Sequence, residues 1–357
     1  MSKPTGGLQT LPANQPAERF YRGGPQIAQF RKTTNQARRE PEDWIASVAS
    51  VFGEPGVGET VMPDGRTLAE HIGEDPVAWL GADHVQAFGP DPNLLVKLLD
   101  AGERLPVHVH PNTKQAHSLL GMTRGKTEAW LVLSGGDVQV GFKQEQSFEQ
   151  VRTMVDQQDI AELLSRLNTV HLEPGDTFLV PAGLPHAIGQ GLFVVELQEP
   201  NDASVMLEWT GFPLDGRGSG QLGLDLSQSM LIVDRSGWDA DRLAGLRGSR
   251  DGQVLPAAAD PFFRAQWCRG GDAANQRRTV DQDRAVNPGI TMEGITVDPG
   301  FAVVIVVEGQ GSLHGADGSQ VDLTRGTTVL APHDAGQLQV RGDVEFIVAR
   351  PPSPTTE

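Results

Sequence analysis

Four side chains at fixed spacing stand out for their chemistry. His108 and His110 sit two residues apart in GERLPVHVHP, and after 17 intervening residues Glu128 opens the run EAWLVLSG. A second block, GDTFLVPAGLPHAIGQ, carries His186. As patterns they read Gly102-x5-His108-x-His110-x17-Glu128-x6-Gly135 and Gly175-x5-Pro181-x-Gly183-x2-His186-x3-Gln190. Residues i and i+2 of a strand point to one face, so His108 and His110 project together while Val109 points away. Glu128 leads a neighbouring strand, and His186 follows a Pro-Gly turn at the start of another. Three imidazoles and one carboxylate meeting inside a β-structure suit a borderline divalent metal such as zinc, manganese or iron. His71, His84, His117, His171, His314 and His333 lack such company and are read as structural.

The elements that must position these residues are short strands closed by Gly or Pro. TVHLEPGD, TFLVPAGLPH and LFVVELQEP follow one another at the intervals of an antiparallel barrel or sandwich. NLLVKLL (93–99) reads as a buried strand leading into the first block, and 69–80 as helical with Pro76 opening a second turn. Phe148, Val151, Met154 and Val155, then Ile160, Leu163, Leu164 and Leu167, recur at helical spacing and predict two short helices near 145–168. Residues 1–19 read as a loose polar arm, 215–223 as a loop and 240–260 as a linker. Beyond it the strand rhythm of 128–200 returns, which predicts an internal duplication. At Gly326-x5-Pro332 the second block begins again, but Asp334 and Gln337 replace its second Gly and its His. The fold expected is therefore mainly β: two antiparallel barrels, an N-terminal one over 1–240 with a helical insert, and a metal-free one over 241–357.

A formal net charge of −17 argues against nucleic acid or an anionic membrane as partner. With 38% hydrophobic and 21% charged residues the composition is that of a globular protein, and 42 Gly with 25 Pro demand frequent turns. The lone Cys268 cannot form an internal disulfide, which suits a reducing compartment. Residues 1–16 lack the apolar core of a signal peptide, and the apolar run 301–307 is too short to span a bilayer. A cytoplasmic protein is expected.

The two blocks resemble the paired motifs of the cupin superfamily. Within it, VHVHP, GKTEAW, VPAGLPHAIG and VVELQ are similar to the short bacterial class I mannose-6-phosphate isomerases, over roughly residues 20–215 and again in the C-terminal part. The resemblance implies a zinc site in which His110, Glu128 and His186 match the family's ligands. His108 stands where the family usually has glutamine, and a three-His set is also one that holds Mn²⁺ or Fe²⁺ in other cupins. It implies a catalytic role for Lys126, the lysine of Lys-x-Glu, and active-site places for Glu196 and Asp202. Lys97 occupies a family lysine position and, if buried, needs an acidic partner. Met206 stands in the place of a family arginine, leaving Arg124, Arg22 or Arg217 as candidate substitutes.

The expected function is aldose–ketose isomerisation of mannose 6-phosphate and fructose 6-phosphate, or a related sugar. The metal would polarise sugar oxygens, and Lys126 with Glu196 would serve proton transfer and orientation. Three alternatives accompany it: an isomerase or epimerase for an unphosphorylated sugar, motivated by Met206; an iron or manganese oxidoreductase, motivated by His108; and a non-catalytic sugar-binding regulator.

Overall fold

A computed structural model describes residues 7–34, 39–270 and 294–354. The described residues are mainly β, arranged in three sheets. A six-stranded antiparallel sheet runs in the order Arg247–Ser249, Asp176–Val180, Glu128–Ser134, Phe193–Gln198, Leu95–Asp100, Glu42–Ile45. A five-stranded sheet runs Val205–Met206, His108–Val109, His186–Ile188, Gly136–Phe142, Leu167–Leu172. The third, seven-stranded sheet follows Gln9–Thr10, Thr328–Ala331, Ala302–Gly315, Leu338–Arg350, Arg264–Arg269, with Ile295–Val297 and Gln320–Thr324 as side branches. Each is an open hydrogen-bonded path among the described residues, so the closed barrels expected from the sequence are not formed as continuous ladders.

Alternation along the strands explains how the sheets stack. Val303, Ile305 and Ile347 face a core shared with the first sheets, whereas Val304, Val306, Phe346 and Val348 face a separate core of the third sheet. In the five-stranded sheet, Val109, Ala187 and Val205 turn outward into a third cluster, completed by Val151, Val155 and Leu163. Those last residues belong to the expected helical insert, realised as Phe148–Gln157 and Ile160–Arg166. Ser147 opens the first helix with a capping box to Gln150, and Asp159 caps the second.

The strand Leu95–Asp100 and the paired helices Leu68–Glu74 and Pro76–Leu80 also match the sequence expectation. Two segments differ from it. Residues 1–6 of the N-terminal arm lie outside the described residues, and its remainder is not loose: Gln9 and Thr10 pair with Leu330 and Val329, and Leu11 N–H donates to the Thr328 carbonyl at 2.9 Å. An unpaired edge there satisfies the arm's backbone groups, which polarity alone does not reveal. The stretch read as a linker holds the helix Ala240–Ala244 and the strand Arg247–Ser249, which pairs with Asp176–Val180. The loop 215–223 contains a single 3₁₀ turn, Ser219–Gln221.

Packing around Trp44 is tight. Gly58 has φ of +92°, and a Cβ there would lie 2.6 Å from Trp44 Cε3. Gly58→Ala is expected to destabilise the protein by about 1–3 kcal/mol through backbone strain and this clash, measured by urea denaturation; an unchanged midpoint would show that Trp44 can move aside.

Candidate metal centre and active site

The two smaller sheets face each other, and the chemistry-bearing side chains lie between them. His108 and His186 are directly opposite partners in the five-stranded sheet, and His110 follows immediately on the first strand. The turn that delivers His186 is tied to the first block: Gly183 N–H donates to the His110 carbonyl at 2.8 Å, and Leu184 N–H to Pro181 at 3.1 Å. Gly183 takes φ of +92°, which glycine adopts without strain. The 17 residues between His110 and Glu128 are accounted for by the helix Thr113–Leu120, which opens with an Asn112–Gln115 capping box and closes at Gly121. They loop out and return, so spacing in sequence does not separate the ligands in space.

Each histidine is held in one tautomer. The Nδ1 atoms of His108, His110 and His186 lie 2.8, 3.1 and 2.8 Å from the carbonyls of Pro106, Ala203 and Leu184. A carbonyl only accepts, so each Nδ1 carries the proton and each Nε2 keeps its lone pair. The ligand atoms of the three rings lie within 4.8 Å of one another, and the cluster could hold a metal ion. Glu128 comes from the opposite sheet, its oxygens 3.0 Å from His110 Nε2 and 3.2 Å from His186 Nε2. Neither contact has hydrogen-bond geometry, so both buried Nε2 atoms are without a protein donor or acceptor. Buried polar atoms are rarely left so; lone pairs gathered at one point beside a carboxylate fit a cation.

Electrostatics agree with this fit. Burial, with the neighbouring rings, holds His108 well below the usual imidazole range. Burial and the Lys126 charge bring His110 down to about 3. Both rings are thus neutral, the form that binds metal. Burial alone would raise Glu128, but its positive surroundings, the Lys126 charge among them, hold the carboxyl well below its ordinary value. Lys126 Nζ lies 3.7 Å from Glu128 Oε2.

Beside this cluster runs a row of side chains across the six-stranded sheet. Trp44, Lys97, Glu196, Trp130 and Phe178 are successive register partners and share one face. Trp130 meets the His186 ring edge-on at 5.7 Å. The buried Lys97 finds acidic company: Nζ lies 3.3 Å from Asp202, 3.4 Å from Glu42 and 3.9 Å from Glu196, and 4.4 Å from the centre of the Trp44 ring. Burial would lower its pKa, yet the carboxylates hold it above the ordinary lysine value. Burial and the Glu128 charge push Glu196 up to about 8. Asp202 also bonds Arg19, at 3.1 Å, and the backbone N–H of Phe52, at 3.3 Å.

The residues named from the sequence thus fall into two adjoining groups, His108, His110, His186, Glu128 and Lys126 in one, Glu196 and Asp202 around Lys97 in the other. Arg19, Tyr21, Glu42 and Trp44 were missed. Tyr21 O–H and Trp44 Nε1–H both donate to Glu42, and Arg19 Nε lies 3.4 Å from it. The signal was the alternation Glu42-x-Trp44, an acid on the buried face of a short strand. The proposed substitutes for the family arginine fare unevenly. Arg22 is exposed on Glu103 and Arg217 is exposed on Asp156, both engaged at the surface. Arg124 is half-buried with Nε lacking a hydrogen-bond partner. Met206 is buried and is the register partner of His108.

Comparison with known proteins agrees with this architecture. The family described as "Mannose-6-phosphate isomerase, cupin domain" matches residues 291–351. The chain is 27% identical over 340 residues to mannose-6-phosphate isomerase ManA of Bacillus subtilis (strain 168), covering 93% of this chain and 95% of that protein. It is 27% identical over 283 residues to the mannose-6-phosphate isomerase of Streptococcus mutans serotype c, covering 77% and 80%. Among solved structures, a putative mannosephosphate isomerase from Archaeoglobus fulgidus superposes with a TM-score of 0.73 at 18% identity, covering 99% of this chain and all of that one. The Bacillus subtilis mannose 6-phosphate isomerase superposes with a TM-score of 0.69 at 20% identity, covering 97% and 100%. With near-complete coverage in sequence and in fold, the chain is similar throughout to class I mannose-6-phosphate isomerases of the cupin superfamily.

Proposed function

We propose that this protein is a metal-dependent aldose–ketose isomerase interconverting mannose 6-phosphate and fructose 6-phosphate. The observation that carries the reading is the convergence of three Nε2 lone pairs, each fixed by an Nδ1–H bond to a carbonyl. His108, His110, Glu128 and His186 would hold one divalent cation, zinc in preference, which supplies Lewis acidity toward the sugar's carbonyl and hydroxyl oxygens.

The chain's own groups do the rest. The isomerisation moves a proton between C1 and C2 of the open-chain sugar through an enediol, and needs a group that can hold that proton. Lys126 Nζ is buried beside Glu128 and is placed to donate to a substrate oxygen as charge develops there. Glu196 lies on the same sheet face between Lys97 and Trp130, where it can orient a sugar hydroxyl or carry the transferred proton. Lys97 and Arg19 hold Asp202 at the edge of this surface. The walls, Trp130 and the histidines, keep bulk water from the reacting carbons. Lys126→Met is expected to lower kcat by about 10²–10⁴-fold while the metal stays bound; a variant with full turnover would remove Lys126 from the chemistry.

We also propose the two-unit organisation, 1–240 and 241–357, as a pair of cupin-type barrels in which only the first carries ligands. Period-two alternation and the separate core of the seven-stranded sheet support it. No helix among the described residues is long and apolar enough to cross a membrane; a cytoplasmic site is proposed on the free thiol of Cys268. The deciding experiment is a coupled assay of metal-replete protein with mannose 6-phosphate beside free mannose and other aldoses. Turnover of mannose 6-phosphate that stops with a chelator and returns with zinc is expected. Tight sugar binding without turnover of any aldose would overturn the proposal.

A further inference from the structure

At one end of the seven-stranded sheet two arginines are placed against each other. Arg264 and Arg350 are directly opposite register partners between the strands Arg264–Arg269 and Leu338–Arg350. Like charges at opposed positions of an antiparallel pair repel. Arg350 is only 7% exposed, and Arg264 is partly buried. Arginine that deep in a protein normally has a carboxylate partner. Among the described residues, neither has one within ion-pairing distance.

Their bonds go to neutral acceptors instead. Arg350 donates to the carbonyls of Pro299, at 3.2 Å, and Asp298. Arg264 Nε donates to the carbonyl of Pro351 at 2.9 Å. Carbonyls satisfy N–H groups without cancelling the charge, and both Nη atoms of Arg264 remain outside these bonds. The side chains of Asp298 and Asp260 act on the pair only from a distance. Burial, and then Arg264, brings Arg350 down to about 10. Burial likewise lowers Arg264.

Both arginines line a cleft of about 370 Å³ between this sheet and the helices Pro76–Leu80 and Ala82–Phe88. His84 and His333 line it too, with Phe301 and Leu80 as apolar wall and Asp83 as a carboxylate. It shares no residue with the histidine cluster. In a chain of net charge −17, two arginines set against each other without a carboxylate partner are not the generic surface.

We propose that this cleft is a second binding site, for a small anion with phosphate- or carboxylate-type oxygens clamped between Arg264 and Arg350. The planar guanidinium fork matches such oxygens, and an anion between the two would remove the repulsion that the bare pair carries. The volume lies at the small end of the usual range for ligand sites, so the ligand is of small-metabolite size.

The test is thermal unfolding of the full chain titrated with inorganic phosphate or citrate, with chloride at matched ionic strength as control. Wild-type protein is expected to melt at higher temperature with phosphate, citrate or both, and not with chloride; whichever acts identifies the anion class. Arg264→Gln, the more exposed partner, is expected to melt at or above wild type without anion. It should weaken the anion response at least about tenfold, with mannose 6-phosphate turnover unchanged. Arg350→Gln, if it folds, should behave alike. An anion response that survives Arg264→Gln, an equal effect of chloride, or an Arg264→Gln protein that melts below wild type in anion-free buffer would overturn the site. These readouts are independent of the isomerase assay, so either proposal can fail alone.

Discussion

Replacing His186 with alanine is expected to leave a folded protein that binds no metal and has lost isomerase activity by on the order of 10³-fold or more, several kcal/mol of Lewis-acid stabilisation at 1.36 kcal/mol per tenfold. His186 is fully buried and is the register partner of His108, and its Nε2 faces Glu128. Its removal takes away one of the three mutually close ring nitrogens. Two imidazoles and a carboxylate can still attract a cation, but without the closed geometry that holds it against dilution. The measurements are metal content of purified protein by atomic absorption and turnover of mannose 6-phosphate. Retained metal and full activity would mean that the cation sits elsewhere. Thermal unfolding provides the control, because two apolar neighbours, Trp130 and Ile188, remain to support the strand.

The second large effect is expected on stability. Lys97 lies among Glu42, Asp202 and Glu196, with its side chain 2% exposed. Methionine at 97 would fill the space but leave Glu42 and Asp202 sharing the guanidinium of Arg19. Removing one partner of a buried ionic cluster strands the other charge, at a cost of about 3–5 kcal/mol. Urea denaturation of Lys97→Met should show a loss of that order. Adding Glu42→Gln removes the stranded charge, so the double variant should recover part of it, with a coupling of about 0.5–3 kcal/mol. A loss below about 1 kcal/mol in the single variant would be the behaviour of a solvent-screened surface pair and would show that water reaches the cluster.

How much of this was legible beforehand depends on whether the information was local. The i, i+2 pair His108 and His110, the Pro-x-Gly turn before His186 and the helical spacing of Val151, Val155 and Leu163 are local patterns. Backbone geometry converts them directly into a shared face, a strand start and a buried stripe. Lys97, set among apolar residues, announced that a counter-charge was needed but could not say which. Glu42, Asp202 and Glu196 lie 55, 105 and 99 positions away in sequence, and only the tertiary fold brings them within 3.4, 3.3 and 3.9 Å.

The strands misread as arm and linker fail for the same reason. Gln9–Thr10 and Arg247–Ser249 are polar and short, and nothing in their composition favours extended structure. They become strands because the exposed edges of Thr328–Ala331 and Asp176–Val180 supply hydrogen-bond partners. By itself the sequence determined the ligand types, their facing directions and a mainly β chain, since residue identity and period act over a few bonds. Tertiary structure alone decided which carboxylates neutralise Lys97, that His110 Nδ1 meets the distant Ala203 carbonyl, and that Arg264 meets Arg350. Those depend on register between strands far apart in the chain, and electrostatic energy follows distance in space, not separation in sequence.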